Sequence, residues 1–472
     1  MPRSLFSKLR REMRPTVSLA APVVIAEVGW VAMQIVDIAM VGRLGPEAIG
    51  AVGVGSALFL ALSVFGMGLL LGLDTLVSQA FGAGNRAACD AWLRHGVFLA
   101  LFLTAPLGLL ALIAGSRLDV WGFDPGVLSL VRPYFSIVAW SLPLLLLYAA
   151  FRRYLQAVSV VRPIMVALVT ANVVNAAANW ILIFGNLGAP ALGVDGAGWA
   201  TCISRAYMVV VLAVAVSRRD VRLWTLVAGV RIAGLRRILG LGWPAATQAM
   251  LEYGAFAAVT MLAARLEPST LAAHQIVINL AGLSYMVPLG IASAGAVRVG
   301  HAVGRRDAAG ASAAGWTAIA LGAGFMASAA AAFLIAPRAI LGIFTTDGQV
   351  VGVGLTLIVV VALFQIFDGL QGVATGTLRG LGDTRTPMFL NLAGYWMLGL
   401  PVGYLLCFVV GWGVIGLWVG VSAGVVVVGS LLLAIWWVRE RALPAALAGD
   451  PASPRLYDLR GRGTMISTHD RS

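Results

Sequence analysis

Gly240-Leu-Gly-Trp-Pro-Ala-Ala-Thr-Gln-Ala-Met-Leu-Glu252-Tyr-Gly-Ala-Phe-Ala-Ala-Val-Thr-Met-Leu-Ala-Ala264 is an apolar run with one charged residue, Glu252. At 1.5 Å per residue such a helix crosses a hydrocarbon core about 30 Å thick. A carboxylate at mid-membrane depth costs at least about 2.5 to 3.5 kcal/mol, so such a residue faces a cavity and binds or relays something. A second run, over 350–376, holds Asp368 in the same predicament. These two acids mark both a fold class and a function.

The rest of the chain agrees. Of its 472 residues 60% are hydrophobic and 11% charged, with a mean hydropathy of +0.92, which places it among integral membrane proteins. Twelve predicted spans lie near 15–41, 48–73, 92–115, 127–150, 163–185, 193–216, 240–264, 271–297, 313–336, 350–376, 387–410 and 413–437. The first keeps Glu27 and Asp37 and lacks a short apolar core followed by a small-residue cleavage site, so it is expected to be retained. Cys89, Cys202 and Cys407 are scattered without metal-ligand spacing and are expected to pack as small apolar residues.

The net charge of +13 reports topology rather than a nucleic-acid partner. Apart from Arg43, Arg117, Arg132, Arg265, Arg338 and the intramembrane Arg205, every Lys and Arg falls at the termini or in the even-numbered loops. By the positive-inside rule both termini are then cytoplasmic, with some contact to anionic lipid.

Ser217 to Arg237 is the most polar internal segment and divides the chain into near-equal halves. Sliding one half over the other sets Pro22 on Pro244, then Arg43, Leu44 and Pro46 on Arg265, Leu266 and Pro268, then Gly68, Ala80 and Gly82 on Gly290, Ala302 and Gly304. With small shifts Pro163 meets Pro387, and Gly193 and Gly198 meet Gly411 and Gly416. Two copies with an even number of helices share one orientation. The expected fold is therefore an all-α membrane protein of two six-helix lobes, related by a pseudo-two-fold axis along the membrane normal, with a site between them near the midplane. The segments read as a basic N-terminus (1–14), an N-terminal lobe (15–217), a basic linker (218–239), a C-terminal lobe (240–437) and a cytoplasmic tail expected to be disordered (438–472). Pro22 and Pro244 are the candidate bends.

Polar residues inside the spans fall in stripes. Glu27, Trp30, Gln34 and Asp37 sit within an arc of about 80° on the first span. Asn172, Asn175 and Asn179 make a stripe of amides on the fifth, read either as helix packing or, with the acidic stripe, as the lining of a cavity. Gln248 pairs with Glu252 at i, i+4, and Asp368, Gln371 and Thr375 continue one face of the tenth span. His274, Gln275 and Asn279 stand near the entrance of the eighth. Two carboxylates on separate helices suit a hard cation such as Na⁺, and equally a shared proton. The bland alternative is a static ion pair with a buried base, and Arg205 is the one arginine expected within a span. Asp74 reads as a helix cap.

Absences narrow the field. Lys8 is the only lysine, so a Walker A loop or an intramembrane Schiff base is excluded. No HExxH or GxSxG pattern occurs, so hydrolase readings have no support and no cofactor is expected.

Four stretches carry a family resemblance: Val36-Asp-Ile-Ala-Met-Val-Gly-Arg-Leu-Gly45, Ala272-Ala-His-Gln-Ile-Val-Ile-Asn279, Arg298-Val-Gly-His-Ala-Val-Gly304 and Asp368-Gly-Leu-Gln-Gly-Val-Ala-Thr-Gly-Thr-Leu-Arg-Gly380. Over about 15–437 the chain resembles the multidrug and toxic compound extrusion (MATE) family, in its bacterial NorM-like branch. The resemblance implies a secondary antiporter of two lobes in a V, expelling lipophilic, often cationic drugs against inward Na⁺ or H⁺, in the bacterial inner membrane. It implies coupling roles for Glu252 and Asp368 in the C-terminal lobe, with Na⁺ possible there, and for Asp37 in the N-terminal lobe. Where some relatives carry an aspartate in the fifth-span stripe this chain has asparagines, which argues against a proton relay confined to that lobe. Where sodium-coupled relatives have a tyrosine one turn before the tenth-span aspartate, this chain has Phe364.

The expected cavity lining comprises Glu27, Gln34, Asn172, Asn175, Asn179, Gln248, Tyr253, His274, Gln275, Asn279, Phe364 and Gln371. Trp30, Tyr253 and Tyr285 are candidates for stacking on a flat cation. The partners expected are small lipophilic cations, Na⁺ or H⁺ and the bilayer, without nucleic acid, for a monomer. The rivals are a lipid-linked-sugar flippase, which needs intramembrane bases for a diphosphate, and an intramembrane enzyme, for which no nucleophile and base stand at recognisable spacing.

Overall fold

The computed structural model describes residues 2–122, 124–219, 221 and 229–448. Within them the chain is helical, with no strand. The first lobe is built from α1 (Pro2–Val41), α2 (Pro46–Leu69), α3 (Gly72–Gly82), α4 (Arg86–Ser116), α5 (Pro125–Ala139), α6 (Leu142–Ala157), α7 (Arg162–Phe184) and α8 (Val194–Ser217). The second contains α9 (Ile232–Ala263), α10 (Pro268–Gly304), α11 (Ala308–Ile335), α12 (Pro337–Gly342), α13 (Gly348–Leu381), α14 (Arg385–Asn391), α15 (Leu400–Tyr404) and α16 (Gly413–Ala448). Short π-helical stretches at Leu392–Gly399 and Leu405–Val409 join α14 and α15 into one rod.

Ten of these elements are long and apolar enough to cross a membrane, and the bent pair α5–α6 makes an eleventh. The remaining rod, α9, carries Gln248 and Glu252 and is less apolar. This is the twelve-rod, two-lobe arrangement expected, and a multi-pass membrane protein. The α5–α6 pair bends by 44°. Pro143, in the first turn of α6, supplies no N–H to continue the helix across Trp140 and Ser141. Pro22 and Pro244, the candidate bends, lie inside α1 and α9.

The duplication is visible in local geometry. Asn85 caps α4 by accepting from the Ala88 N–H, and its repeat mate Asp307 caps α11 by accepting from the Gly310 N–H. The residues before these caps, Gly84 and Arg306, both take positive φ, 75° and 58°. The two lobes also meet through reciprocal contacts. A Cβ on Gly82 would overlap the His301 carbonyl, and one on Gly304 the Gln79 carbonyl. Gly68 abuts Ala246 as Gly290 abuts Val24, and Gly300 lies against its own mate, Ser78. Such isologous pairing is the signature of a two-fold axis, here passing near Ser78 and Gly300.

All these close approaches use one end of the bundle, the end that holds the interlobe connection. Past them along α1 and α10, Gln34, Gln275 and Asn279 are exposed, as in a V closed at the basic end.

Several helices run beyond the expected spans. α6 continues to Ala157, α10 to Gly304 and α13 to Leu381, which brings Arg152, Arg153, Arg298 and Arg379 into helices. Arg205 is therefore not the only arginine within the bundle, as the hydropathy pattern implied. Long basic side chains lie along apolar helix surfaces and reach acids at the ends of the spans, so hydropathy places the boundary too early. α1 begins at Pro2, within the expected basic N-terminus, and α9 at Ile232, inside the expected linker. α16 extends to Ala448, so 438–448 continue a helix where a disordered tail was expected. The rest of that tail, 449–472, and linker residues 220 and 222–228 lie outside the described residues.

Candidate functional site

In the second lobe, Glu252 of α9 lies within electrostatic range of Asp368 of α13 and is the charge that acts on it. Asp368 is 7% exposed. Among the described residues neither carboxylate has an Arg, Lys or His within ion-pair distance. Tyr285 of α10 and Gln248, one turn before Glu252, are the neutral side chains that act on Glu252. Fully buried Gln371, one turn after Asp368, donates from Nε2 to the Tyr395 hydroxyl at 2.9 Å. Tyr395 stands on the π-helical stretch of the α14–α15 rod. The two acids thus lie within electrostatic range of each other among neutral polar side chains, and neither has an ion-paired base among the described residues. That arrangement suits a Na⁺ ion, which prefers hard oxygen ligands, or a proton held between the two carboxylates.

Three residues expected in the lining sit elsewhere or do other work. His274 is wholly buried, with Nε2 2.9 Å from Thr260 Oγ1, and its Nδ1 accepts from Trp418 Nε1 at 3.1 Å. Phe364 is 3% exposed and packs its ring on Trp418. Both belong to the core behind the pocket, where an apolar indole face favours them over a wet wall. Glu27 is paired with Arg152 of α6, a static ion pair inside the first lobe rather than a free cavity acid. Gln275 and Asn279 are exposed on α10, where Asn279 Nδ2 donates to the Gln275 carbonyl. Tyr253, 54% exposed, lies within electrostatic range of both Glu27 and Glu252 and so stands toward the opening between the lobes.

The first lobe holds a separate polar nest around Asp37. Asn179 Nδ2 donates to Asp37 Oδ1 at 2.6 Å and to Asn175 Oδ1 at 3.1 Å. Asn172 Nδ2 donates to the Gly29 carbonyl at 3.0 Å, tying α7 to α1. Asn175 Nδ2 and Asn179 Oδ1 are buried without a partner, which leaves a donor and an acceptor free beside Asp37. Arg205 of α8 donates to Ser141 Oγ at the α5–α6 bend and lies 4.3 Å over the Phe59 ring. It makes no ion pair with Asp37, although its charge acts there. Asp37 therefore does not join the Glu252–Asp368 pocket.

Sequence reasoning missed Tyr395 and cast Tyr285 only as a stacking face. Both phenols approach from other helices, and nothing in local spacing announces such a contact.

The MatE family profile matches twice, over 22–181 and 244–405, with the starts separated by the same offset that sets Pro22 on Pro244. A probable multidrug resistance protein NorM from Rhodopseudomonas palustris is 36% identical over 457 residues, 95% of each chain. One from Mesorhizobium japonicum is 34% identical over 454 residues, 93% of this chain and 97% of that one. Among solved structures, the eukaryotic MATE transporter AtDTX14 superposes with a TM-score of 0.83 at 23% identity, covering 93% of this chain and 100% of that one. A MATE in the bent conformation gives 0.86 at 20% identity, covering 94% and 98%. One profile match falls on each lobe and the relatives run the length of both: the chain belongs to the MatE family.

Proposed function

We propose that the protein is a secondary multidrug efflux antiporter that exports lipophilic, often cationic compounds in exchange for inward Na⁺ or H⁺ by alternating access. The carrying observation is the Glu252–Asp368 pair, two acids within electrostatic range of each other with no ion-paired base among the described residues. A buried acid pair without a counter-charge is stable only while something positive occupies it. Occupancy by the inward-moving cation then favours one state of the V, and drug the other. A ligand with equal affinity for both states would shift nothing.

The family and its NorM relatives support efflux of drugs. The positive-inside rule applied to the basic end supports cytoplasmic termini and a bacterial inner-membrane location. The V closed at that end is the outward-open state. Tyr253 offers an exposed aromatic face, worth about 0.5 to 2 kcal/mol to a flat cation, while part-buried Trp30 stacks on Tyr148. The flippase reading finds little in the first lobe to hold a diphosphate, since Arg152 and Arg153 are already paired with acids.

The test is drug efflux from proteoliposomes under imposed Na⁺ and pH gradients. Glu252→Gln and Asp368→Asn are each expected to lower gradient-driven accumulation about ten-fold or more, the scale of losing a charge contact of about 1.4 kcal/mol or greater. Variants that concentrate drug as well as wild type would overturn the assignment.

A further inference from the structure

Asp74, in the first turn of α3, is the most deeply buried carboxylate among the described residues, with 0% exposure. Its Oδ2 lies 3.3 Å from Arg153 Nη1 in its own lobe and 3.7 Å from Arg379 Nε in the other. Two more residues of α3 grip the end of α13. Thr75 Oγ1 donates to the Arg379 carbonyl at 2.6 Å, and Gln79 Nε2 to the Gly380 carbonyl at 3.1 Å. Farther along the basic end, Glu12 of the first lobe accepts from Arg298 Nη2 of the second at 2.5 Å. Both cross-lobe ion pairs put the acid on the first lobe and the base on the second. The repeat mate of Asp74 is Ala296, so this polarity is not a product of the duplication.

The cluster is also unfinished. Asp74 Oδ1 and the Nε atoms of Arg153 and Arg379 have no hydrogen-bond partner. A partly satisfied buried network holds less firmly than a complete one. When the lobes part, Arg153 stays with Asp74, so the acid is not stranded. Arg379 leaves at the end of its helix, where a long side chain reaches water.

Arg379 is tied to the cation pocket as well. Asp368, Gln371, Thr375 and Arg379 recur at i, i+3, i+7 and i+11, which keeps them within an arc of about 80° on α13. The helix rise places the Cα atoms of Asp368 and Arg379 about 16 Å apart along the axis.

We propose that Asp74, clamped between Arg153 and Arg379, is the charge latch that holds the basic end of the two lobes shut, and that α13 carries the state of the Glu252–Asp368 pocket to it. The inference rests on the alternating-access reading above, but the latch can be tested with no gradient and no drug present. Hydrogen–deuterium exchange of the full chain in lipid nanodiscs reads the seam at residues 75–83 and 376–382. Arg379→Gln and Asp74→Asn are expected to speed exchange there about ten-fold, while Arg153→Gln leaves it within about two-fold of wild type.

Equal effects of Arg153→Gln and Arg379→Gln would mark a static cluster and overturn the latch. If Arg379→Gln loosens the whole molecule, including residues 172–180 far from the seam, Arg379→Lys decides. Keeping the charge must keep the seam closed, and an open seam in that variant overturns the proposal. Lowering pH or adding Na⁺ should change exchange at 376–382 in wild type and not in Asp368→Asn; no difference between them removes the role of α13. Failure at the seam with normal gradient coupling sinks the latch alone, whereas loss of the coupling result sinks the antiport reading and leaves the seam data standing.

Discussion

Glu27 and Glu252 are the same chemical group at similar depth in the two lobes, but Glu27 meets the Arg152 guanidinium and Glu252 meets only Tyr285 and Gln248. The side chains of Glu27 and Arg152 are 15% and 11% exposed, so each is costly to leave alone. Glu27→Gln is expected to strand Arg152 and destabilise the protein by about 3 to 5 kcal/mol. Glu252→Gln removes a charge that has no partner to strand, so it is expected to leave stability unchanged or raised. Thermal unfolding in detergent, with and without Na⁺ and at two pH values, separates the two. Glu27→Gln should lower the midpoint and keep the ion response, and Glu252→Gln should keep the midpoint and lose the response. The acids themselves were legible in the sequence because an apolar run makes each one conspicuous. Their partners were not. Arg152 lies 125 residues from Glu27 and just past the expected end of a span, and no local pattern joins them.

Helices were legible in number and order, though several run past the expected spans, since hydropathy and Gly/Pro punctuation govern where a chain can cross a bilayer. The breaks within them depend on tertiary contacts. Gly72, at the break between α2 and α3, lies against the Ile238 carbonyl of the other lobe, a reason no single-span pattern contains. The π-helical stretch over Leu392–Gly399 is of the same kind, and it matters because π turns re-aim side chains at functional sites. Here the side chain is Tyr395, fully buried, which exchanges hydrogen bonds with Gln371 one turn from Asp368. Tyr395→Phe leaves the Gln371 amide buried and unpartnered, at a cost of about 1 to 3 kcal/mol. The expected outcome is a lower unfolding midpoint together with weaker cation dependence of transport, read by titrating Na⁺ and pH against efflux. A lower midpoint with unchanged cation dependence would confine Tyr395 to packing.

At the scale of the whole molecule, the duplication supplies the hinge geometry. Gly82 against the His301 carbonyl and Gly304 against the Gln79 carbonyl are one contact seen twice, because a two-fold axis passes between them. Glycine is required at both, since any Cβ would overlap a backbone oxygen of the other lobe. Hydrophobic burial gives little drive between helices in lipid, so this closeness of small residues is what lets the lobes seal. Symmetry makes a sharp demand: Gly82→Val and Gly304→Val should open the basic end by equal amounts, while the Asp74 latch, present on one side only, breaks that equality for charge substitutions. Spin labels introduced at Arg86 and Ala308, which are repeat mates at the starts of α4 and α11, report the gap by electron–electron double resonance. The native cysteines Cys89, Cys202 and Cys407 are buried and leave the added labels as the accessible thiols. Both valine variants are expected to lengthen the distance by several ångströms, roughly the thickness of a side chain set between packed helices. A change in one variant and not in the other would show that the seam does not turn about the two-fold axis.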